Sequence, residues 1–398
     1  MHSGTGPVIG VAGAGAMGAG IAQVALARGH AVVLTDADAS AVARAGTTIT
    51  GGLRREVEKG RLDAAVADDA PGRLRLVLPD EGLAPFAACD VVIEAIVERL
   101  DAKQALFRAL EAVVSPACVL ATNTSSLSVA SIGAACAHPE RLLGVHFFNP
   151  ATVLPLVEVV AGVRTDAAVV ERSVALVAGW GKVPVRAADT PGFIVNRIAR
   201  PFYGEALRML EEGVADVATI DWALKTLGGF RMGPFELMDF IGHDVNYAVT
   251  ERVWTAMYYD ARYRPSLAQQ RLLEAGWLGR KAGRGFYDYA PGAVAPAPVT
   301  DRTLGEVILR RTLAMLVNEA VEAVFLRVAS PADIEVAMVR GVNYPRGLLA
   351  WGNAYGAAHL LAHLDALQAE TGDDRYRASP LLRRLVRNGD PLPTGGPG

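Results

Sequence analysis

Between Val8 and Asp36 the chain runs strand, glycine turn, helix, strand and acid in unbroken order. Val8 to Ala12 reads as a buried strand and leads straight into Gly13-Ala14-Gly15-Ala16-Met17-Gly18. An apolar helical pattern follows from Ile21 to Ala27, and a second strand, Ala31 to Thr35, ends on Asp36. A Gly-x-Gly-x-x-Gly string alone says little; in this setting it is the dinucleotide fingerprint of a βαβ unit. Gly13 permits the tight turn, Gly15 lets backbone approach a pyrophosphate, and Gly18 allows close helix–strand packing, with the phosphates on amides at the helix N-terminus. Asp36, 18 residues beyond Gly18, can accept from a ribose 2′-hydroxyl and would repel a 2′-phosphate. NAD is therefore expected rather than NADP.

The alternation continues. Ala41 to Lys59 reads as helix and Asp90 to Ala95 as a strand with an acidic exit, Glu94 to Glu98. Asp101 to Val114 reads as helix, with Val119 to Thr122 and Leu142 to Phe148 as strands. This order predicts a mostly parallel, doubly wound α/β sheet covered by helices on both faces. Ligands should gather at the carboxyl ends of its strands, where Glu98, Asn123-Thr124-Ser125-Ser126 and His146 fall. Read singly, Asn and Ser after a strand are turn residues or helix caps.

The stretch Gly144 to Val160 brackets an Asn- and Pro-rich turn with two apolar runs, each carrying one polar residue: His146 in the first, Glu158 in the second. If the runs are neighbouring strands joined by Asn149 to Pro155, imidazole and carboxylate can meet. A carboxylate on one ring nitrogen fixes the tautomer and leaves the other nitrogen as a general base. The alternative is a His and a Glu on solvent-facing sides.

From Thr190 the pattern changes. Pro191-Gly192 breaks the chain, and helical periodicity takes over from Phe193. The predicted division is a dinucleotide-binding domain over 1–188, a first helical domain over 189–290, a Pro/Ala-rich linker over 291–303, a second helical domain over 304–390 and a tail over 391–398. The second helical domain repeats the first. Gly204-Glu205-Ala206 matches Asn318-Glu319-Ala320, Ile220-Asp221 matches Ile334-Glu335, Gly233 matches Gly347 and Gly242 matches Gly356, all at an offset of 114. Arg262-Tyr263-Arg264 matches Arg375-Tyr376-Arg377 at 113. The second copy is degenerate where the first looks functional: Asn196 becomes Arg310, and the basic glycine-rich tail Gly279 to Tyr287 is missing. A scaffold role is expected for it.

A net charge of −3 and 51% hydrophobic residues give no sign of a nucleic-acid or anionic-membrane partner. No apolar run is long enough to span a bilayer, and a short polar leader before Val8 leaves no room for a signal peptide. Three unpatterned cysteines, Cys89, Cys118 and Cys136, argue for a reducing cytoplasm. No metal-binding set is expected.

With these residues in place, the sequence resembles the L-3-hydroxyacyl-CoA dehydrogenase family over residues 8–290. The repeated helical domain is similar to the long bacterial members, 3-hydroxybutyryl-CoA and 3-hydroxyadipyl-CoA dehydrogenases among them. The motifs are the glycine turn, Asn123-Thr124-Ser125-Ser126, His146-Phe147-Phe148-Asn149-Pro150, Leu156-Val157-Glu158-Val159 and Pro191-Gly192-Phe193-Ile194-Val195-Asn196-Arg197. The resemblance implies reversible NAD-dependent oxidation of a (3S)-3-hydroxyacyl-CoA to the 3-oxoacyl-CoA, in fatty-acid, butanoate or phenylacetate-type catabolism. It places the general base on His146, the orienting carboxylate on Glu158, and the partners of the substrate oxygen on Ser125 and Asn196. Cofactor contacts fall on Gly13, Gly15, Met17, Gly18, Asp36, Glu98, Lys103, Asn123, Asn149 and Lys281, and a coenzyme A contact on Lys59. Thus Lys59, Lys103 and Lys281, three of the five lysines of the chain, fall where the family meets anionic ligands.

Two departures stand out. A serine that touches coenzyme A in some members is Gly52 here, and a Met-Lys pair before the Leu-Val-Glu-Val is Leu154-Pro155. The alternatives are a dehydrogenase of a small hydroxy acid without coenzyme A, of the gulonate or carnitine type, and a non-catalytic structural relative. Shorter members of the family dimerise through their helical domain, so the second copy is expected to pack on the first within the chain. A homodimer of the whole chain is a further possibility left open by the residues.

Overall fold

The computed structural model describes residues 6–395. The first five residues of the polar leader and the last three of the 391–398 tail lie outside the described residues. The chain forms two compact units, 1–190 and 191–398, so the two helical copies fall within one unit.

The first unit is built on eight strands: β1 Ile9–Ala12, β2 Val32–Thr35, β3 Leu74–Val77, β4 Val91–Glu94, β5 Val119–Thr122, β6 Leu142–Phe147, β7 Leu156–Ala161 and β8 Val183–Ala188. Their order in the sheet is β3-β2-β1-β4-β5-β6-β7-β8, and the direction of winding reverses between β1 and β4, where a doubly wound sheet opens its ligand crevice. Strands β1, β2, β4 and β5 are buried along their whole length, which is why they read as unbroken apolar runs. Helices α1 Ala16–Ala27, α2 Ala39–Glu58, α3 Ala64–Arg73, α4 Leu100–Glu111, α5 Val129–Gly133 and α6 Ala167–Gly179 connect them. β7 runs antiparallel to β6 and parallel to β8. The short connection between β6 and β7 allows a hairpin, whereas a parallel neighbour would need a long crossover. β3 and β8, which the sequence reading did not single out, form the two edges.

The second unit is helical. Its first copy comprises α7 Val195–Ile198, α8 Arg200–Glu211, α9 Val217–Thr226, α10 Pro234–Ile241, α11 His243–Ala256 and α12 Leu267–Glu274. Its second copy comprises α13 Arg302–Phe325, α14 Pro331–Val342, α15 Leu348–Tyr355, α16 Ala357–Thr371 and α17 Pro380–Asn388. Pro201 sits at the first turn of α8, where its missing N–H is harmless and helps to start a new helix. The corresponding residue of the second copy is Met315, and there a single 24-residue helix, α13, continues unbroken.

The matched residues of the two copies do the same structural work. Asp221 accepts from the backbone N–H groups of Phe235 and Glu236 at 3.0 Å each, capping α10. Glu335 accepts from those of Leu349 and Ala350 at 2.7 and 3.1 Å, capping α15. Gly233 and Gly347 leave room for these acids; a Cβ there would lie 2.2 Å from Asp221 Cγ and 2.1 Å from Glu335 Oε2.

Across the two copies the contacts are reciprocal. Arg197 Nε donates to Glu319 at 2.6 Å, and Arg311 Nε to Glu205 at 3.0 Å. Tyr263 donates its hydroxyl to Glu319 (2.5 Å), and Tyr376 donates to Glu205 (3.0 Å). Arg264 reaches Asp373 and Arg377 reaches Asp260, both at 3.1 Å. Residue i meeting j while j meets i is the signature of an isologous contact between identical partners, here made by one chain with itself. Around these polar pairs, α13 packs on α8 and α9 and buries Ile308, Leu313, Met315, Leu316 and Val317, each worth about 1.5–3 kcal/mol when withdrawn from water. A chain ending at residue 303 is therefore expected to self-associate through the uncovered face, with Arg197 and Tyr263 of each copy meeting the other's Glu205. Sedimentation would read this directly, and a truncated protein that stays monomeric with an unchanged Tm would refute it.

Candidate functional site

The register of the β6–β7 hairpin places His146 directly opposite Glu158, where side chains on one face are about 4.5–5.5 Å apart at Cβ. Gly144, opposite Val160, permits the close approach of the two strands: a Cβ there would lie 2.9 Å from Val160 Cβ. His146 Nδ1 and Glu158 Oε2 are 2.7 Å apart, with the residues 5% and 0% exposed. The carboxylate claims Nδ1, so Nε2 is the nitrogen from which base chemistry would run. Phe148 packs on the imidazole at 4.6 Å between ring centroids, and Asn149 follows it, exposed, in the turn. The pairing of His146 with Glu158 that the sequence reading made conditional on neighbouring strands is thus present, and the solvent-facing alternative is not.

Glu98 organises the loop after β5. Its Oε1 accepts from Thr124 Oγ1 (2.7 Å), from the backbone N–H groups of Ser125 (3.1 Å) and Ser126 (3.2 Å), and from Ser126 Oγ (2.9 Å). Lys103 Nζ lies 3.2 Å from its Oε2. Burial alone would push this carboxyl up, but the Lys103 ammonium and the hydroxyl donors outweigh it and hold it below the usual range. Asn123 Oδ1 accepts from the backbone N–H of Phe147 at 2.8 Å, tying the end of β5 to the residue after His146. Ser125 is thereby held on a loop fixed at both ends.

Beneath Glu98 lies a pair that the sequence reading placed only in part. Lys103, 1% exposed, donates to Glu94 Oε1 at 2.5 Å, and Thr122 Oγ1 donates to Glu94 Oε2 at 2.6 Å. Glu94 and Thr122 were not singled out as site residues. The available signal was phase: Lys103, Phe107 and Leu110 share the buried stripe of α4, where a lysine demands a buried acid.

At the glycine turn, Gly13 has φ +114 and a Cβ there would lie 2.4 Å from Ala95 O; one on Gly18 would lie 1.8 Å from Gly13 O. Gly15 meets nothing within 4 Å and is the N-cap of α1 without a side-chain cap. The turn thus leaves an open cradle before the N-terminal amides of α1, with Met17 in its first turn, and its donor set fits a dinucleotide pyrophosphate. Asp36 reaches back to the turn, accepting from Ala14 N at 2.7 Å.

The remaining residues named from the sequence lie on other elements. Lys59 is exposed just past α2, 3.4 Å from Glu56. Asn196 lies on α7 of the second unit, and Lys281, half-exposed there, bonds Asp244 at 2.6 and 2.7 Å. Gly52 has a steric explanation: a Cβ there would lie 2.1 Å from Gln23 Oε1, so the Gln23 amide fills the space a serine would use. Pro155 has two roles. Its carbonyl accepts from Val183 N at 2.8 Å at the entry to β7, and it lines a cleft of about 260 Å³ with Gln23, Leu53, Arg61 and Lys182. Lys182, another residue the sequence reading passed over, donates to the carbonyls of Ala151 (2.5 Å) and Leu154 (2.8 Å). Burial, reinforced by Arg28, lowers its pKa to about 8.

Known proteins resemble the chain along most of its length. The family model for the 3-hydroxyacyl-CoA dehydrogenase NAD-binding domain matches residues 8–190. The model for the C-terminal domain of the same family matches twice, over 192–289 and 307–395. The chain is 40% identical to the 3-hydroxyadipyl-CoA dehydrogenase of Escherichia coli (strain K12), across 94% of this chain and 96% of that one. It is 42% identical to the 3-hydroxybutyryl-CoA dehydrogenase of Bradyrhizobium diazoefficiens, across 72% of this chain and 97% of the relative. Among solved structures, the 3-hydroxybutyryl-CoA dehydrogenase of E. coli K12 superposes with a TM-score of 0.91 at 39% identity, covering 96% of this chain and 99% of that one. The chain belongs to the 3-hydroxyacyl-CoA dehydrogenase family.

Proposed function

We propose that the protein catalyses reversible NAD-dependent oxidation of a (3S)-3-hydroxyacyl-CoA to the 3-oxoacyl-CoA. The observation that carries this reading is the buried His146–Glu158 pair at the carboxyl end of β6, tied through Asn123 to the loop bearing Ser125. Gly13, Gly15, Met17 and Gly18 would hold the pyrophosphate and Asp36 the adenosine ribose, with Glu98, Lys103, Asn123 and Asn149 toward the nicotinamide half; Lys281 is proposed as a cofactor contact on the family resemblance alone. When bound, NAD supplies the hydride acceptor for carbon 3. His146 Nε2 takes the proton of the 3-hydroxyl in the forward direction and returns it in the reverse. Glu158 keeps the imidazole in the tautomer that makes this possible and offsets its positive charge. On the family resemblance we propose Ser125 and Asn196 as donors to the oxygen as charge develops on it, worth about 2.7–4 kcal/mol for a well-placed donor.

Lys59 would meet the coenzyme A moiety, without help from position 52, whose space Gln23 occupies. Chain length is a finer matter: relatives named for the four-carbon and the six-carbon dicarboxylic substrates match at nearly equal identity. Fatty-acid, butanoate or phenylacetate-type catabolism accommodates either. We place the reaction in the cytoplasm, a reading supported by three buried, unpaired cysteines. Among the described residues no helix is long and apolar enough to cross a membrane.

The test is NADH consumption with acetoacetyl-CoA and 3-oxoadipyl-CoA, beside free acetoacetate and an NADPH control. Oxidation with a thioester but not the free acid is expected, and the ratio of the two thioesters sets the chain length. Turnover of the free acid alone would move the assignment to a small hydroxy acid. NADH binding without turnover of any of them would move it to a non-catalytic relative.

A further inference from the structure

In the second unit the main chain around Asn196 is held from both sides. Upstream, Gly192 (φ +75) and Phe193 (φ +47) turn sharply, and the Arg197 N–H returns to the Gly192 carbonyl at 3.1 Å. A Cβ on Gly192 would lie 2.9 Å from Arg197 N and 3.1 Å from Asn196 C. A left-handed backbone on a phenylalanine persists only where its surroundings enforce it. Downstream, Arg200 Nε donates to the Asn196 carbonyl at 2.9 Å while its Nη1 is held by Thr250 Oγ1 at 3.0 Å.

The next side chain along, Arg197, is 2% exposed and reaches into the second helical copy to meet Glu319. Glu319 is wholly buried and fully engaged. Its Oε1 takes Arg197 Nε (2.6 Å) and the Tyr263 hydroxyl (2.5 Å), and its Oε2 takes Arg262 Nη1 (3.0 Å). Burial would push this carboxyl up, but the guanidiniums of Arg197 and Arg262 prevail and hold it below the usual range. A charged acid gripped by three donors in the interior cannot shift without stranding two buried cations.

We propose that Glu319 is a positioning residue for the dehydrogenase reaction: by fixing Arg197 from the second helical copy, it sets the aim of the adjacent Asn196 amide at the substrate oxygen. This rests on the proposed role of Asn196 as a donor to that oxygen. The second copy is then more than a cover for apolar surface, because it supplies the outer support of a reacting-centre contact 123 residues earlier in the chain.

The fold contains its own control. Glu205 is equally buried and makes the mirror contact, accepting from Arg311 Nε and Tyr376, but the neighbour of Arg311 is Arg310, where the donor asparagine has been lost. Glu319→Gln and Glu205→Gln should lower Tm by similar amounts. Only Glu319→Gln should lower kcat with acetoacetyl-CoA, by about tenfold or more, since small misplacements of a reacting-centre contact are costly. Its KM should stay within about threefold and its NADH Kd should not change. Asn196→Ala should itself be slow, and adding Glu319→Gln to it should cost less than about twofold more, because both act through one contact.

Equal losses of kcat in the two Gln variants, or a multiplicative double variant, would overturn the proposal while leaving Asn196 as a donor. An Asn196→Ala enzyme with unchanged kcat would instead remove the reading on which the proposal rests. If Glu319→Gln does not fold, Arg197→Lys against Arg311→Lys asks the same question with the charge retained, and a kcat loss confined to Arg197→Lys is the expected result.

Discussion

His146→Gln is expected to lower kcat by roughly 10²–10⁴-fold, the range that a positioned general base supplies, while NADH affinity stays within about twofold. Glutamine approximates the size of the imidazole and can still hydrogen-bond Glu158, so the strand pairing survives. It has no basic nitrogen at the position of Nε2. The cofactor cradle is built from other elements: the glycine turn leading into α1, and Asp36 bonded to Ala14 N. Fluorescence titration with NADH beside the acetoacetyl-CoA assay separates the two properties. Turnover at the wild-type rate would take the base role away from His146.

Glu158→Gln should cost about 10²-fold or more in kcat, again with NADH binding retained. Glu158 is fully buried on β7 and bonds His146 Nδ1 at 2.7 Å. In the proposed reaction the carboxylate would stabilise the imidazolium formed when Nε2 takes a proton; a neutral amide would do so weakly and can present its N–H to Nδ1, selecting the wrong tautomer. Because the two side chains act as one unit, the double variant should be little slower than His146→Gln alone. A loss below about twofold for Glu158→Gln would mean that the pair does not function together.

The pairing of His146 with Glu158 was legible in the sequence because strand geometry is simple. Alternation has a period of two, and a short turn between two apolar runs leaves few registers that keep both runs buried. The glycine turn was legible for a similar reason, since each glycine answers a local steric demand. The support of the site was not. Glu98 could be placed at a strand exit, but nothing local says that one carboxylate oxygen gathers the hydroxyls of Thr124 and Ser126 with two backbone amides. The depth of Lys103 depends on which face of α4 meets the sheet. The repeat at an offset of 114 was visible as matched letters. Whether Glu319 answers its own copy's Arg311 or the other copy's Arg197 is a property of the folded pair, and the structure chooses Arg197. Gly52 read as a missing contact; beside Gln23 it is an exchange of space between α1 and α2.

The reciprocal contacts of the helical unit also bear on how the protein responds to dilution. Two separate chains that meet through such a surface come apart as their concentration falls toward the dissociation constant, and any support that one lends the other is lost with them. Here the partner is tethered, and a short tether holds it at an effective concentration on the order of millimolar whatever the protein concentration in the tube. Specific activity should therefore be as high at nanomolar as at micromolar enzyme. Tethering also removes the requirement that both halves remain alike. In a symmetric pair every change appears twice, at each of two active centres, whereas in one chain Asn196 can be kept while its counterpart drifts to Arg310. On the proposed roles, one half keeps a group for the chemistry and the other holds it in place.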